Sequence, residues 1–258
     1  MSSVKLQEME SLLVLHKFFT PLFILLLTTG GLHAAPMFNI MVLFDGSGSI
    51  NPSDYEDQRG AEQHLLNSLT ISPTDNQFGI VQFGTNVILE SGLSGNGANL
   101  ATALSKMFQS GGQTNHADAF TTAHDELTLN ARSGGGGGQS VVILLTDGTP
   151  NEPSGSNPVI ATINAANALK SDDALIYGIG VGGQVDVSDI EFYTSGPTTN
   201  FSFHVDNFND ATTAINSIVS DLNAMSPPPA IPALGAMVIF AIAMLTLIRR
   251  RAANTLPV

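Results

Sequence analysis

Three short stretches of this sequence group oxygen-bearing side chains with glycine: Asp45-Gly46-Ser47-Gly48-Ser49, Gly111-Gly112-Gln113-Thr114-Asn115 and Asp147-Gly148. Together they offer two carboxylates, Asp45 and Asp147, and three hydroxyls, Ser47, Ser49 and Thr114. Oxygen-only donors suit a hard cation such as Mg2+ or Mn2+, which takes near-octahedral coordination and keeps several waters. The glycines let loop backbone approach an ion without Cβ clashes. Each motif alone has a plainer reading, since Ser and Asp ahead of a helix cap it with or without metal, and Thr-Asp-Gly makes an ordinary turn. Three such groups in order, each at a strand end or in a loop, favour a metal site. Thiol chemistry is excluded: the 258-residue chain has no cysteine, hence no disulfide framework, thiolate zinc site, iron–sulfur cluster or cysteine nucleophile.

Other groups carry less. Gly178-Ile179-Gly180-Val181-Gly182-Gly183 fits GxGxxG with Asp206 downstream, so a dinucleotide site has to be weighed. Its first two glycines fall inside or at the end of an apolar strand late in the chain, which counts against that use. His116 and His124 are eight residues apart on one helix, about 12 Å of rise, and read as surface polar residues. His204 reads as a hydrogen-bonded core or rim residue in a short strand. Asp172, Asp173, Asp186 and Asp189 read as solvated turns or helix starts, with a weak calcium site as their alternative. No serine sits in GxSxG, and Ser47 has no evident base, so a serine hydrolase is not expected. The chain reads as a non-enzyme.

An alternation of short β-branched runs and amphipathic stretches must position the three groups. FNIMVLF (38–44), FGIVQF (78–83), NVILE (86–90), VVILLT (141–146), ALIYGIG (174–180) and FSFHV (201–205) read as strands. Helices are expected near 53–69, 99–108, 116–129, 158–170 and 210–223. Strands alternating with helices predict an α/β, doubly wound, mostly parallel sheet covered by helices on both faces. FGIVQF and NVILE are separated only by Gly84 and Thr85, too short for a crossover, so they are expected as an antiparallel hairpin with NVILE at the sheet edge. In such a sheet, ligands bind where strand C-termini meet the following loops, and there the three groups fall. Ile215, Ile218, Val219 and Leu222 lie along one face of the final helix, a stripe that would hold it on the sheet. The Gly134–Gly138 run reads as a loop before VVILLT.

Charge and the two ends bear on where the chain works. The formal net charge is −13, and residues 36–226 carry 4 Lys and Arg against 20 Asp and Glu, a local net of −16. So acidic a body repels phosphates, which argues against nucleic acid as a partner. Lys17 precedes an apolar run ending in Ala34, Ala35 and Pro36, which reads as a secretory signal peptide over 1–35. At the other end, a proline-rich linker (226–232) precedes a segment, 233–258, read as a transmembrane helix and basic tail. Its uncharged run ends at Arg249, Arg250 and Arg251, and the arginines mark a cytoplasmic end. Residues 36–225 are thereby expected outside the cytoplasmic membrane.

Two resemblances follow from these residues. DGSGS after a hydrophobic strand, the GGQT loop and LLTDG at a later strand end are similar to a von Willebrand factor type A domain with a complete metal-ion-dependent adhesion site. The resemblance implies that Ser47, Ser49 and Thr114 bind Mg2+ (or Mn2+) directly, with Asp45 and Asp147 acting largely through waters. An acidic residue of a protein or matrix ligand would complete the coordination. The C-terminal layout, with IPAL at Ile231–Leu234, a hydrophobic run and terminal arginines, resembles PEP-CTERM and IPTL-CTERM sorting signals. That implies an exosortase-like processing enzyme and display at the cell surface, while a plain membrane anchor through the C-terminal helix stays open because Ala233 stands where that motif has threonine. The expectation is a surface-displayed, metal-dependent adhesion module. Its alternative is a structural or accessory surface protein in which metal only stabilises the fold.

Overall fold

β1 (Phe38–Asp45) is buried along its whole length, because it is flanked by a strand on each side and covered by helices on both faces. A computed structural model describes residues 37–131, 138–185, 187–196 and 198–225, all within one compact unit, Ala35–Ser226. The signal peptide (1–35), the proline-rich linker (226–232), the C-terminal segment (233–258), Asp186 and most of the glycine run lie outside the described residues. Among the described residues, no helix is long and apolar enough to cross a membrane.

The strands β2 (Gln77–Phe83), β3 (Val87–Ser94), β4 (Gln139–Thr146), β5 (Leu175–Val181) and β6 (Ser202–Val205) complete one sheet in the order β3-β2-β1-β4-β5-β6. β1 pairs in parallel with β2 and β4, as β5 does with β4 and β6. β3 runs antiparallel to β2 at the edge, as its short connection requires. The pairing closes at Phe83 opposite Val87, and Gly84 N donates to Asn86 O at 3.0 Å.

Alternation along β1 divides the core in two. Ile40, Val42 and Phe44 face α1 (Pro52–Ser68), α2 (Gly97–Lys106) and the final helix, α7 (Ala211–Met225). Met41 and Leu43 face α3 (His116–Asn130), α4 (Pro158–Ser171) and α5 (Val187–Tyr193). A parallel sheet buried on both faces needs near-continuous apolar strands, and β1 and β4 supply them. Within the expected stripe of α7, Ile215, Ile218 and Leu222 are buried and Val219 half-buried.

Several local details differ from the sequence reading. α2 ends at Lys106, two residues early, leaving Phe108 exposed. The final helix is entered through a 3-10 turn, Phe208–Asp210, where Asn207 caps Asp210 N. α5 and the four-residue α6 (Thr198–Phe201) fill the connection from β5 to β6, where short, mixed sequence gives no helical period. α1 buries Gln58 and Glu62 beside Tyr55 and Leu65, so its inward face is partly polar.

Candidate metal centre

The first loop begins where β1 stops. Asp45 is fully buried, and each oxygen of its carboxylate has a donor: Oδ1 accepts from Ser47 N at 2.9 Å, and Oδ2 from Thr146 Oγ1 at 2.5 Å. The first bond folds Asp45-Gly46-Ser47 into an Asx turn. The register sets Phe44 opposite Leu145, so the next residues, Asp45 and Thr146, meet at the strand ends. Ser47 Oγ lies 2.9 Å from Ser49 Oγ, which donates to Asp147 Oδ1 at 2.7 Å.

Thr114 reaches the same place from the second loop. Its N–H donates to Asn151 Oδ1 at 2.7 Å, and its carbonyl accepts from the N–H groups of Asn151 and Glu152. Its Oγ1 lies 3.9 Å from where a Cβ on Gly148 would sit. The structure therefore brings all five sequence-selected residues to the loops above the C-terminal ends of β1 and β4. At this junction the chain leaves β1 for β2 on one side and returns to β4 on the other, the switch point at which sheets of this kind hold ligands.

Residues without a motif of their own hold the loops. Gly48 N donates to Gly112 O at 2.9 Å and Gly111 N to Gly46 O at 2.7 Å, joining first loop to second. Gly112 has φ +82°, and a Cβ there would meet Thr85 Oγ1 at 2.2 Å, so glycine is required on both counts. Gln58 Nε2 donates to Asp45 O at 2.7 Å. Gln82 Oε1 accepts from Ser110 N at 2.8 Å. Gln109 Nε2 donates to Ser47 O and Ile50 O, both at 2.7 Å. Gln109→Leu keeps the side chain's length and removes two hydrogen bonds of about 1 kcal/mol each. Calorimetry is expected to show Mg2+ uptake weakened up to about tenfold, in a protein that still unfolds cooperatively.

The electrostatics fit a cation. Burial raises Asp45 from 3.8 to about 6, against the lowering effect of hydrogen bonds from Ser47 and Thr146, and the neighbouring Asp147 charge adds to the rise. Asp147 is also raised, by burial first and then by Asp54, with the Ser49 hydrogen bond opposing. Arg59 pairs with Glu56, and His124 hydrogen-bonds Asp172; neither contact includes a site carboxylate. One buried and one half-buried carboxylate, with no Lys or Arg paired to them among the described residues, beside three hydroxyls, are the donor set of a hard divalent cation.

The other candidates separate clearly. His116, expected on the surface, is fully buried at the start of α3, with Nε2 3.1 Å from Thr146 Oγ1. Helix spacing identified its element but not that α3 begins beneath the site, where its ring packs edge-on to Phe83 and Tyr193. Burial lowers it to about 3, so the ring is neutral. His124 pairs with Asp172 at 2.8 Å on the outside, while His204 Nε2 lies 2.8 Å from Gly182 O at the rim. Gly178 and Gly180 lie within β5, where added Cβ atoms would meet Ile190 and Val185 under 3 Å; these glycines let α5 lie close to the sheet. Among the residues missed in sequence, only Thr146 lay within a selected motif, LLTDG; Gln58, Gln82, Gln109 and Asn151 gave no local signal.

Comparison with known families agrees with this geometry: the von Willebrand factor type A domain matches residues 39–219. The chain belongs to that family. Its type A domain is 28% identical to integrin alpha-1 of Gallus gallus over 173 residues, 65% of this chain and 60% of that protein. It is 23% identical to the collagen alpha-1(XXI) chain of Homo sapiens over 172 residues, 66% of this chain and 17% of the collagen. Among solved structures, proximal thread matrix protein 1 from the mussel byssus superposes with a TM-score of 0.64 at 26% identity, over 74% of this chain and 47% of that one. A further structure of that mussel protein, with a zinc-occupied MIDAS motif, gives 0.63 at 25% identity, over 72% and 48%. The chain thus spans under a fifth of the collagen, three fifths of the integrin and about half of the mussel protein.

Proposed function

We propose that residues 36–225 form a metal-dependent binding module that captures a protein or matrix partner through an acidic side chain completing the coordination of Mg2+ or Mn2+. The observation that carries this reading is the Asp45–Ser47–Ser49–Asp147 cluster, with Thr114 beside Gly148, whose carboxylates, Asp45 buried and Asp147 half-buried, have no ion-pair partner among the described residues. Ser47, Ser49 and Thr114 would hold the ion, and Asp45 and Asp147 would orient its waters. When bound, the metal supplies a positive centre under-compensated by its neutral donors, which attracts a carboxylate from outside. The collagen, integrin and byssal-matrix names of the relatives support an adhesive rather than an enzymatic role.

The signal peptide over 1–35 and the IPAL, apolar-run and arginine layout over 231–251 extend the proposal. They direct the module across the cytoplasmic membrane to the cell surface, through an exosortase-like enzyme or a retained C-terminal anchor. Surface and matrix proteins applied to the immobilised protein are expected to be retained in Mg2+ and released by EDTA, while the thermal unfolding transition stays cooperative in EDTA. Retention unchanged by EDTA would favour the accessory role, in which partner contacts are metal-independent.

A further inference from the structure

We propose that His116 is a positioning residue of the metal centre, acting through Thr146 to fix the carboxylate of Asp45; this rests on the metal reading above. The three side chains form a buried line: His116 Nε2 is 3.1 Å from Thr146 Oγ1, and Thr146 Oγ1 is 2.5 Å from Asp45 Oδ2. All three residues have no exposed surface. The other ring nitrogen, Nδ1, has no hydrogen-bond partner.

That lone nitrogen decides where the protons go. A proton on Nδ1 would be buried without an acceptor, whereas an unpaired lone pair there costs less because no donor is stranded. The ring's proton therefore belongs on Nε2, which donates to Thr146 Oγ1. Thr146, having accepted, turns its own proton to Asp45 Oδ2 instead of to Gly148 O, 3.2 Å away. The opposite tautomer would draw the threonine proton toward the ring and present an oxygen lone pair to a carboxylate oxygen at 2.5 Å. The resulting repulsion would displace Asp45, and with it Ser47, whose N–H is held by the other carboxylate oxygen at 2.9 Å. Phe83 and Tyr193, edge-on to the imidazole at 5.1 and 6.0 Å between ring centroids, keep the ring in the orientation this line requires. His116 needs no contact with the ion to influence it, in the way outer groups orient metal ligands elsewhere.

The test begins with the metal-free protein. Nitrogen NMR of 15N-histidine-labelled protein is expected to show one ring protonated at Nε2 and bare at Nδ1, lost in His116→Leu. Calorimetric titration with Mg2+ is then expected to show uptake weakened about tenfold or more in His116→Leu and in Thr146→Val. The double variant should be no weaker than the weaker single variant, because both break one line. His116→Gln, whose amide offers an N–H at similar reach, should remain within about threefold of wild type. A proton found on Nδ1, or wild-type uptake in a folded His116→Leu protein, overturns the proposal; so does a folded His116→Gln protein as weak as the leucine variant. If His116→Leu does not fold, the tautomer together with Thr146→Val and His116→Gln decides. Wild-type protein that takes up no Mg2+ overturns the metal reading itself, an outcome distinct from uptake that is indifferent to residue 116.

Discussion

Asp45→Asn is expected to lower Mg2+ affinity at least a hundredfold while leaving the metal-free protein as stable as wild type or more so. The two effects have one origin. Asp45 is fully buried, and its rise from 3.8 to about 6 means that burial outweighs the hydrogen bonds from Ser47 and Thr146. Holding it ionised at neutral pH costs the metal-free fold on the order of 3 kcal/mol. Asparagine preserves the shape and can still accept from Ser47 N while its amide faces Thr146 Oγ1, but it carries no charge to desolvate and none to offer a cation. Calorimetry and thermal unfolding in EDTA separate the effects. Uptake equal to wild type would remove Asp45 from the metal centre, and a large fall in the EDTA melting temperature would show that its role is structural.

Glu62→Met is expected to stabilise the protein by on the order of 2 kcal/mol at neutral pH, raising the melting temperature by about 4–8 °C for a domain of this size. Glu62 is 2% exposed on the inward side of α1, and neither carboxyl oxygen has a hydrogen-bond partner. Burial alone raises it well above 4.5. A carboxyl raised in the fold binds more protons folded than unfolded, so its share of stability is intact below the unfolded value and is lost as pH rises through the folded one. Wild type should therefore weaken relative to Glu62→Met from about pH 4.5 upward, and the two should converge toward acid. Methionine is close in length and leaves no polar atom behind. Parallel stability curves across that range would show that Glu62 has a partner in solution.

The positions that sequence exposed and those it hid differ in kind. β1 and β4 were legible because strands covered on both faces must be apolar throughout, and the β2–β3 hairpin because its connection admits no crossover. Asp45, Ser47, Ser49, Thr114 and Asp147 were legible as chemistry because hydroxyls and carboxylates recur beside glycine in three loops. The supporting residues were not. Gln109, Gln82 and Asn151 act through amides that reach across loops distant in sequence, and nothing nearby marks a glutamine that holds two carbonyls. Glu62 and Gln58 break the apolar pattern of α1 at its inward face, so periodicity assigns them to solvent. His116 was misplaced because its helix was identified without knowledge of what its first turn lies under.

The junction between β1 and β4 also governs when the centre comes into being. Ser49 and Asp147 are 98 residues apart, and they meet only after the chain has passed through β2, β3 and three helices and returned to β4. Contacts so remote in sequence close late, because the loop entropy must be overcome before they contribute. An ion that recognises the completed centre has little to hold in a half-formed chain, and it stabilises only the finished state. Its effect on the kinetics then falls on the rate of opening and leaves the rate of folding nearly unchanged. A centre assembled in this order can be completed before any ion arrives, and a cation bound afterwards acts as a latch on a structure already closed.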